Sequence, residues 1–199
     1  MTTPHATDTG IWVDWIRKVC NPRVYLDVGA GDGFDCALVG AAFPYCRAVA
    51  IEPWEEWSVG TEYIQKYRDV IGRANKHECF YIKNQPGIHG LYSRTAVPTV
   101  SVEARPVRTL QHFCEKEGIP SIDAMKVDVE GAAWDVLSGA SDLLKSVSAV
   151  HVETEWLELF DGQRQQSDVF GLLKRAGLEM VWEHRVEELG QGDSIWVRQ

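Results

Sequence analysis

Residues 25–35 read YLDVGAGDGFD, a short apolar run that passes directly into a glycine-rich turn. The apolar character of residues 23–28 predicts a buried strand, and residues 35–43 after the turn predict a helix. Glycine suits such a turn because a backbone without Cβ can adopt positive φ and approach a ligand closely. In a doubly wound sheet, this first strand-to-helix turn is where the ligand binds. The stretch therefore predicts an α/β sheet with a ligand site at its first turn.

Strand-like and helical segments alternate along the rest of the chain. The further predicted strands are residues 48–51, 69–72, 78–82, 100–104, 122–127, 149–152, 178–182 and 194–197, and the further predicted helices are residues 9–20, 54–67, 109–117, 132–144 and 165–175. Such alternation favours a mostly parallel twisted sheet with helices on both faces, followed by an antiparallel C-terminal hairpin. We expect a single domain over residues 1–199, with residues 1–21 as an N-terminal helical extension and residues 84–99 as a loop or lid.

Composition narrows the possible function classes. The 199 residues include 20 basic and 29 acidic side chains, which gives a net charge of −9 without any basic run. Such a chain lacks the electrostatic patch of a nucleic-acid binder, so no nucleic-acid partner is expected. No apolar run reaches the roughly 18 to 20 residues of a membrane span, and the first residues do not resemble a signal peptide. We therefore expect a cytoplasmic protein without a membrane partner, and the sequence leaves its oligomeric state open.

The cysteines give no sign of a disulfide framework or a zinc site. They are odd in number and scattered, with no C-x-x-C pair: Cys20, Cys36, Cys46, Cys79 and Cys114. Both kinds of site require paired or closely spaced cysteines. We expect reduced and mostly buried thiols.

The spacing of the glycines indicates the kind of ligand. Gly29, Gly31 and Gly33 form a G-x-G-x-G pattern, whereas dinucleotide sites use G-x-G-x-x-G. The turn also carries Asp27 and Asp32. Their carboxylates would repel the pyrophosphate that a dinucleotide places at a helix N-terminus, but they suit an ammonium or sulfonium group.

A second acidic residue completes the pattern. Glu52 follows the predicted strand at residues 48–51 and comes 23 positions after Gly29. An acidic residue about 20 positions beyond the glycines accepts hydrogen bonds from ribose hydroxyls. A ligand with a ribose, a cationic end and no pyrophosphate describes S-adenosylmethionine, which we predict as the cofactor. The expected binding residues come from the turn and from the segment after the second strand: Asp27, Gly29, Ala30, Gly31, Glu52, Pro53 and Trp54. Trp54 is either a ring that stacks on adenine or a core residue.

Another acidic cluster follows a later strand. Residues 126–131 read KVDVEG, which places Asp128 and Glu130 at the carboxyl end of that strand and on one side of the extended chain. This end faces the ligand crevice in an open parallel sheet. The two carboxylates could orient the cofactor, accept the proton of a substrate hydroxyl or hold a divalent cation, or they could cap the next helix. We predict both as catalytic residues and predict no metal, because Asp128 and Glu153 at unknown separation are weak evidence for magnesium.

Two histidines are further candidates. His89 lies in a glycine-containing loop, from which it could reach a substrate, and we include it among the catalytic residues. His151 lies inside an apolar strand, where a hydrogen-bonded core histidine is commoner than a base. If catalysis uses a base, Asp128 or Glu130 comes first, followed by His89 or His151.

These residues resemble the FkbM family of S-adenosylmethionine-dependent methyltransferases. The resemblance rests on four stretches whose order and spacing fit nearly the whole chain: YLDVGAGDGFD (25–35), AIEP (50–53), VRTL (107–110) through KVDVEG (126–131), and VLSGA (136–140). It implies a Rossmann-like methyltransferase fold with an antiparallel last strand and a cofactor at the glycine turn and Glu52. It also implies, in many members, O-methylation of a sugar, a polyketide or a similar metabolite. Ala133, where the family often has Glu, and His89, where it often has serines, depart from the pattern at positions that concern the substrate and the base.

The leading hypothesis is an S-adenosylmethionine-dependent O-methyltransferase that acts on a small hydroxylated metabolite. Methyl transfer is an in-line displacement, so alignment of the two reactants supplies much of the catalysis. Two alternatives stay open. One is a methyltransferase-like binding module without turnover, because a fold and a cofactor pocket do not guarantee chemistry. The other is an NAD-dependent oxidoreductase, which the G-x-G-x-G spacing and Asp32 disfavour.

Overall fold

A computed structural model describes residues 4–54, 63–140 and 142–199 of the chain. The elements follow one another in this order: α1 (Pro4–Val19), β1 (Val24–Val28), α2 (Phe34–Ala42), β2 (Arg47–Ile51), β3 (Ile64–Tyr67), β4 (Val70–Ile71), β5 (Lys76–Lys83), β6 (Thr99–Arg108), α3 (Leu110–Lys116), β7 (Ala124–Val127), α4 (Ala133–Ser138), a 3₁₀ turn (Leu143–Lys145), β8 (Ala149–Glu155), α5 (Gln166–Arg175), β9 (Glu179–Val186) and β10 (Gln191–Val197).

The main sheet has seven strands in the order β3-β2-β1-β7-β8-β10-β9. The pairings from β3 to β8 are parallel, and β10 runs antiparallel to both β8 and β9. The predicted mostly parallel sheet with an antiparallel C-terminal hairpin is therefore confirmed. Chain order reverses on the two sides of β1, which pairs with β2 on one edge and with β7 on the other. A ligand crevice forms at such a switch point, beyond the carboxyl ends of the strands.

Two apolar layers cover the faces of this sheet. Alternate residues of β1 point to opposite sides, so Leu26 packs in the layer that contains Phe113 of α3, and Tyr25 packs in the layer that contains Trp12 of α1. The first layer also contains side chains of α4 and α5, and the second contains side chains of α2. Because both faces are covered, β1 is buried along its whole length, as parallel strands usually are. The predicted helices on both faces are thus confirmed.

A smaller sheet stands apart from the main one, with three strands in the order β4-β6-β5. Its strands correspond to the predicted strands at 69–72, 78–82 and 100–104, but the alternating pattern gave no sign that they form a separate sheet. Residues 84–98 connect β5 to β6, and a bridge between Tyr81 and Gly90 folds this connection back onto β5. The smaller sheet therefore holds the connecting loop beside the main sheet.

Two helix predictions were wrong in part. In the predicted helix 54–67, residues 55–62 lie outside the described residues, and residues 64–67 form β3, which pairs with the edge strand β2. Pairing with an open sheet edge outweighed the helical pattern there. The predicted helix 132–144 ends at Ser138. It stops beside Gly139, where a Cβ would come within 2.4 Å of the carbonyl oxygen of Gly72, so the chain turns at a close backbone contact.

The structure also bears on the membrane and cysteine expectations. No helix in the described ranges has the length and hydropathy needed to cross a membrane. All five cysteines are free thiols: Cys36 and Cys114 are buried, and Cys79 is exposed. Cys20 and Cys46 are half-buried.

Candidate functional site

A cavity of about 660 Å³ opens at the carboxyl ends of the central strands. This volume is in the range of small-molecule sites, and the position is the one expected for a doubly wound sheet. Its walls come from the glycine turn, the ends of β2, β7 and β8, the loop between β5 and β6, and the start of β10. The polar residues among them are Asp32, Asp35, Glu52, Asp69, His89, Arg94, Lys126, Asp128, Glu130, Glu153 and Gln191.

The glycine turn is fixed by its contacts with the neighbouring strands. Gly29, Gly31 and Gly33 all have positive φ, at 80°, 51° and 87°. A Cβ on Gly29 would lie 1.7 Å from the carbonyl oxygen of Asp128, so only glycine fits there. The N–H groups of Gly29 and Ala30 both donate to the carbonyl of Ile51, at 2.9 Å and 3.2 Å. The predicted binding residues Gly29, Ala30 and Gly31 therefore lie on the cavity wall in a rigid turn.

Glu52 joins the glycine turn to the segment after β2. Glu52 is only 8% exposed, yet it lines the cavity together with Pro53. One carboxylate oxygen accepts a hydrogen bond from the N–H of Gly31 at 3.2 Å, and the other accepts from the N–H of Trp54 at 2.8 Å. Glu52 thus holds the wall where the ribose of a nucleoside cofactor is expected.

Asp27 lies beneath the turn, outside the cavity wall that the described residues form. Its side chain is fully buried, and neither carboxylate oxygen has a hydrogen-bond partner among the described residues. Burial raises the pKa of Asp27 to about 7, against the opposing effect of Lys126 and with a contribution from the carboxylates of Asp35, Asp128 and Glu52. The predicted direct contact of Asp27 with a cofactor stays a prediction, since the side chain does not reach the cavity wall.

Trp54 also lies outside that wall. Its ring makes an edge-on contact with the imidazole of His89, with ring centroids 5.3 Å apart, and the guanidinium of Arg105 lies 5.0 Å from its centroid. The ring therefore supports His89 from behind. Its predicted stacking on adenine stays a prediction.

Lys126 and Asp35 form an ionic network that sequence reasoning did not single out. The amine of Lys126 lies 2.5 Å from one oxygen of Asp35 and 3.2 Å from Asp128, and the hydroxyl of Thr9 donates to the other oxygen of Asp35 at 2.5 Å. Burial alone would lower the pKa of Lys126, but the carboxylates of Asp128, Asp35 and Asp27 raise it well above its usual value. The signal was present in KVDVEG, since Lys126 near the end of β7 and Asp128 just beyond it are two residues apart in extended chain and point to the same side.

The carboxylates of Asp128, Glu130 and Glu153 converge on one side of the cavity. Each places an oxygen within 4.8 Å of the others. Burial and the neighbouring carboxylates raise the pKa values of Glu130 and Glu153. A carboxylate with a raised pKa is a better proton acceptor. Such a cluster also has the oxygen ligands that hard cations prefer, and the expectation that no metal is used stays a prediction.

Glu130 is held in an unusual backbone conformation. With φ at 49° it is the one non-glycine residue with positive φ in the described part of the chain. This conformation is unfavourable for a residue with Cβ, and strain of this kind is concentrated at functional sites. The next residue, Gly131, also has positive φ, and its N–H donates to Glu155 at 3.2 Å. The two residues turn the chain so that Glu130 reaches the cavity.

Arg94 is a further cavity residue without any signal in the sequence. One guanidinium nitrogen lies 3.3 Å from Glu130, and another donates to the side-chain oxygen of Gln191 at 3.2 Å. The amide nitrogen of Gln191 in turn donates to Glu153 at 2.9 Å. Arg94 comes from an aperiodic loop, so no periodic pattern could have placed it beside these acids.

The two candidate histidines occupy different environments. His89 lines the cavity, and its Nδ1 accepts a hydrogen bond from the backbone N–H of Lys83 at 2.9 Å. Its neutral form therefore carries the proton on Nε2. His151 is buried away from the cavity, with Nε2 2.9 Å from Asp193 and its ring 5.6 Å from that of Trp12. Its surroundings are those of a hydrogen-bonded core histidine.

The doubly wound sheet with a G-x-G-x-G turn and an acidic residue after the second strand defines a Rossmann-like methyltransferase fold. Solved structures share it. The chain superimposes on magnesium protoporphyrin IX methyltransferase (ChlM) from Synechocystis PCC 6803 with bound SAM at TM-score 0.53 and 10% identity, covering 98% of this chain and 80% of that one. The N-terminal domain of EvdMO1 with SAH bound gives TM-score 0.54 and 12% identity, covering 100% of this chain and 82% of that one. These similarities concern the fold.

The sequence itself identifies the family. Residues 27–180 match the methyltransferase FkbM domain. The chain therefore belongs to the FkbM methyltransferase family, which depends on S-adenosylmethionine, and the predicted family and cofactor are confirmed. It is also similar to the 2-O-methyltransferase NoeI of Sinorhizobium fredii (strain NBRC 101917 / NGR234), with 34% identity over 88 residues. That alignment covers 44% of this chain and 35% of the relative.

Proposed function

We propose that this chain transfers a methyl group from S-adenosylmethionine to a hydroxyl group of a small metabolite. The observation that carries the proposal is the composition of one cavity. The glycine turn and Glu52 form one part of its wall, and the carboxylates of Asp128, Glu130 and Glu153 form another. The arrangement brings a nucleoside-binding surface and proton acceptors to the same space.

The residues of the first part of the wall fit the cofactor. Because only glycine fits beside the carbonyl of Asp128, the turn presents bare backbone to the cavity at Gly29. Glu52 provides a buried carboxylate beside it, and the charge of Asp27 lies under the turn. Acidic groups in a partly buried site favour a cation such as a sulfonium. When bound, S-adenosylmethionine supplies a sulfonium methyl group that a nucleophile can displace.

The carboxylate part of the wall would hold the acceptor and take its proton. With S-adenosylmethionine held at the glycine turn and Glu52, the substrate oxygen would bond to the methyl carbon while the carbon–sulfur bond breaks, and the electron pair would stay on sulfur to give S-adenosylhomocysteine. The hydroxyl proton passes to a carboxylate, for which Glu130 is the best placed because its pKa is raised by burial and by Asp128. The carboxylate of Asp128 is already engaged by the amine of Lys126, which lies 3.2 Å away. His89, on the loop, is placed to orient the acceptor.

Two observations support the proposed substrate class. The relative at 34% identity is named as a 2-O-methyltransferase. The acceptor side of the cavity is polar, with Arg94 and Gln191 beside the carboxylates, which suits a molecule with several hydroxyl groups. We therefore place hydroxylated metabolites, with sugars first, ahead of apolar acceptors.

The test combines a binding measurement with a transfer assay. Calorimetry with S-adenosylmethionine, S-adenosylhomocysteine and NAD measures cofactor preference, and methyl-tritiated S-adenosylmethionine measures transfer to a panel of sugars, polyketides and phenols. Saturable binding of the first two ligands and labelling of a hydroxylated acceptor are expected. Replacing Glu130 by Gln should lower kcat by about 10²- to 10⁴-fold without loss of S-adenosylhomocysteine binding. Cofactor binding without transfer to any acceptor would point to a binding module instead, and preference for NAD would contradict the proposed cofactor.

A further inference from the structure

Lys83 has a buried amine in an unusual setting. The residue ends β5, is only 3% exposed and does not belong to the cavity wall. Burial of an ammonium group is unfavourable unless hydrogen bonds replace those it made with water. Lys83 satisfies this condition with acceptors that all come from residues 93–99, which we call the strap.

Four oxygens of the strap surround the Lys83 amine. The hydroxyl of Thr99 lies at 2.8 Å, the carbonyls of Arg94 and Val97 lie at 3.1 Å each, and the hydroxyl of Ser93 lies at 3.2 Å. An ammonium has only three protons to donate, so the four oxygens saturate it. One side chain therefore gathers both ends of the strap around a single point.

The start of the strap is also docked on a second segment. The N–H of Thr95 donates to the carbonyl of Leu159 at 3.2 Å, and the N–H of Asp161 donates to the carbonyl of Ser93 at 2.9 Å. The guanidinium of Arg94 lies 5.3 Å from the ring centroid of Phe160. Arg94 is thus held by backbone hydrogen bonds on both sides and by an aromatic ring.

The structure describes every residue of the strap. Among them, Arg94 alone lines the cavity. Its guanidinium reaches Glu130 and Gln191. The amine of Lys83 contacts the backbone carbonyl of Arg94, and among the described residues it makes no hydrogen bond with a cavity acid. The amine of Lys83 is therefore connected to the site through the strap, while its backbone N–H donates to His89.

We propose that Lys83 is a positioning residue, which holds the strap so that the guanidinium of Arg94 stays paired with Glu130 in the cavity. The inference rests on the proposed role of Glu130 as proton acceptor. The charged groups that face Glu130 come from three elements: Asp128 from the segment after β7, Glu153 and Glu155 from β8, and Arg94 from the strap. Arg94 is the only cation among these described groups.

The direction of the effect follows from these charges. Burial raises the pKa of Glu130, as do Asp128 and Glu155, while Arg94 lowers it. If the strap no longer holds Arg94 in place, the pKa of Glu130 rises further. A general base must be ionised to act, so the acidic limb of the kcat/KM profile should move to higher pH.

Lys83→Met tests the proposal, because it removes the amine and keeps an unbranched side chain. We expect kcat/KM to fall by about ten- to a hundredfold, as for a misplaced catalytic group, and its acidic limb to rise by about one pH unit. Affinity for S-adenosylhomocysteine should be unchanged. Lys174→Met, at an exposed helix position, is the matched control and should change none of these quantities.

Arg94→Gln should reproduce the pH shift, and the double variant Lys83→Met/Arg94→Gln should shift the limb no further than either single variant. This non-additivity is the signature of two residues that act through one contact. A lower melting temperature with an unmoved pH limb, or an additive double variant, would contradict the positioning role. If Lys83→Met does not fold, Ser93→Ala/Thr99→Val removes the two hydroxyl acceptors instead and should give a smaller shift in the same direction.

A second readout does not depend on turnover. Carboxyl carbons of ¹³C-labelled glutamate report the titration of Glu130 by NMR, and Glu130→Gln assigns the resonance by its loss. The midpoint should be higher in Lys83→Met and in Arg94→Gln than in wild type. An unchanged midpoint in an active enzyme overturns the inference and leaves the proposed function intact. A raised midpoint in a protein that transfers no methyl group supports the role of Lys83 and overturns the proposed function.

Discussion

The carbonyl oxygen of Asp128 lies 1.7 Å from the point where a Cβ on Gly29 would stand. The turn after β1 and the segment after β7 are therefore in backbone contact on the cavity wall. The two sequence motifs that indicated the site, one around the glycines and one around KVDVEG, meet at this contact.

Gly29→Ala should open this contact and abolish cofactor binding. The substitution combines a steric overlap with an unfavourable positive φ, and the overlap is with backbone, which cannot move without shifting β7. Gly118→Ala is the control, because Gly118 also has positive φ but has no atom within 4 Å of its Cβ position. The control should lose about 1 to 2 kcal/mol of unfolding free energy. Chemical denaturation should show a clearly larger loss for Gly29→Ala, and equal losses would mean that the close approach is unimportant.

Glu52→Gln should weaken cofactor binding while the fold is kept. The substitution retains the shape and one acceptor, but it removes the charged acceptor next to the expected ribose. We expect a loss of about 1 to 3 kcal/mol in the binding of S-adenosylhomocysteine, measured by calorimetry. Glu158→Gln, at an exposed position, should bind as wild type does. An unchanged affinity in Glu52→Gln would remove Glu52 from the cofactor site.

Asp27 should make cofactor preference depend on pH. Burial raises the pKa of Asp27 to about 7, so the group is mainly neutral at pH 5 and mainly ionised at pH 8. An ionised Asp27 favours the cationic S-adenosylmethionine over the uncharged sulfur of S-adenosylhomocysteine. The ratio of their dissociation constants should therefore move toward S-adenosylmethionine as the pH rises through 7. In Asp27→Asn the same ratio should change less, and an identical pH dependence in both proteins would contradict the assignment.

The ionisation of Asp27, which should favour binding of the cationic cofactor, should lower the free energy of unfolding. In the unfolded chain Asp27 ionises near its usual pKa, whereas in the folded protein its pKa is raised, so the folded state binds more protons between these values. Wild type should therefore lose unfolding free energy as the pH rises from about 4 to about 7. Urea unfolding of wild type and Asp27→Asn across this range should show a steeper decline in wild type. Parallel curves would mean that Asp27 is already ionised at low pH.

Lys126→Met should destabilise the fold because it leaves Asp35 and Asp128 without their cation. Breaking a buried ion pair from one side typically costs about 3 to 5 kcal/mol. Asp35→Asn in the Lys126→Met background should recover part of this loss, since it removes one of the two unpaired charges. Urea unfolding of the two single variants and the double variant measures the coupling. No recovery in the double variant would indicate that packing, rather than charge, accounts for the effect of Lys126.

The strands of the main sheet were largely predictable because their information is local. The run RVYLDV places apolar side chains on both faces of the strand. This is the pattern expected of a strand that is covered on both sides. Residues 64–67 are the exception, because the sequence around them has a helical pattern. They form a strand through a tertiary contact, the pairing with β2, and Ile64 is buried there. The grouping of β4, β5 and β6 into a separate sheet also depends on tertiary contacts, because the sequence of a single strand does not indicate which sheet the strand will join.

The candidate site divides in the same way. Gly29 and Glu52 were predictable because a turn and a strand end carry their own signature. Arg94 and Lys83 were not, since their contacts depend on how residues 84–98 fold back onto β5 and onto Phe160. Asp27 illustrates a third case. The residue type was recognised, but only the structure shows that the side chain is buried outside the cavity wall.

The hydrogen bond from Thr9 to Asp35 gives the first helix a place in the electrostatics of the cavity. Thr9 belongs to α1, Asp35 to α2 and Lys126 to β7, and Asp128 stands at the end of this chain of contacts. The segment that the sequence predicted as an extension is thus the outermost member of the ionic network that contains Lys126 and Asp128. A shortened protein that begins at β1 would keep every residue of the cavity wall and still present a different field to its ligands.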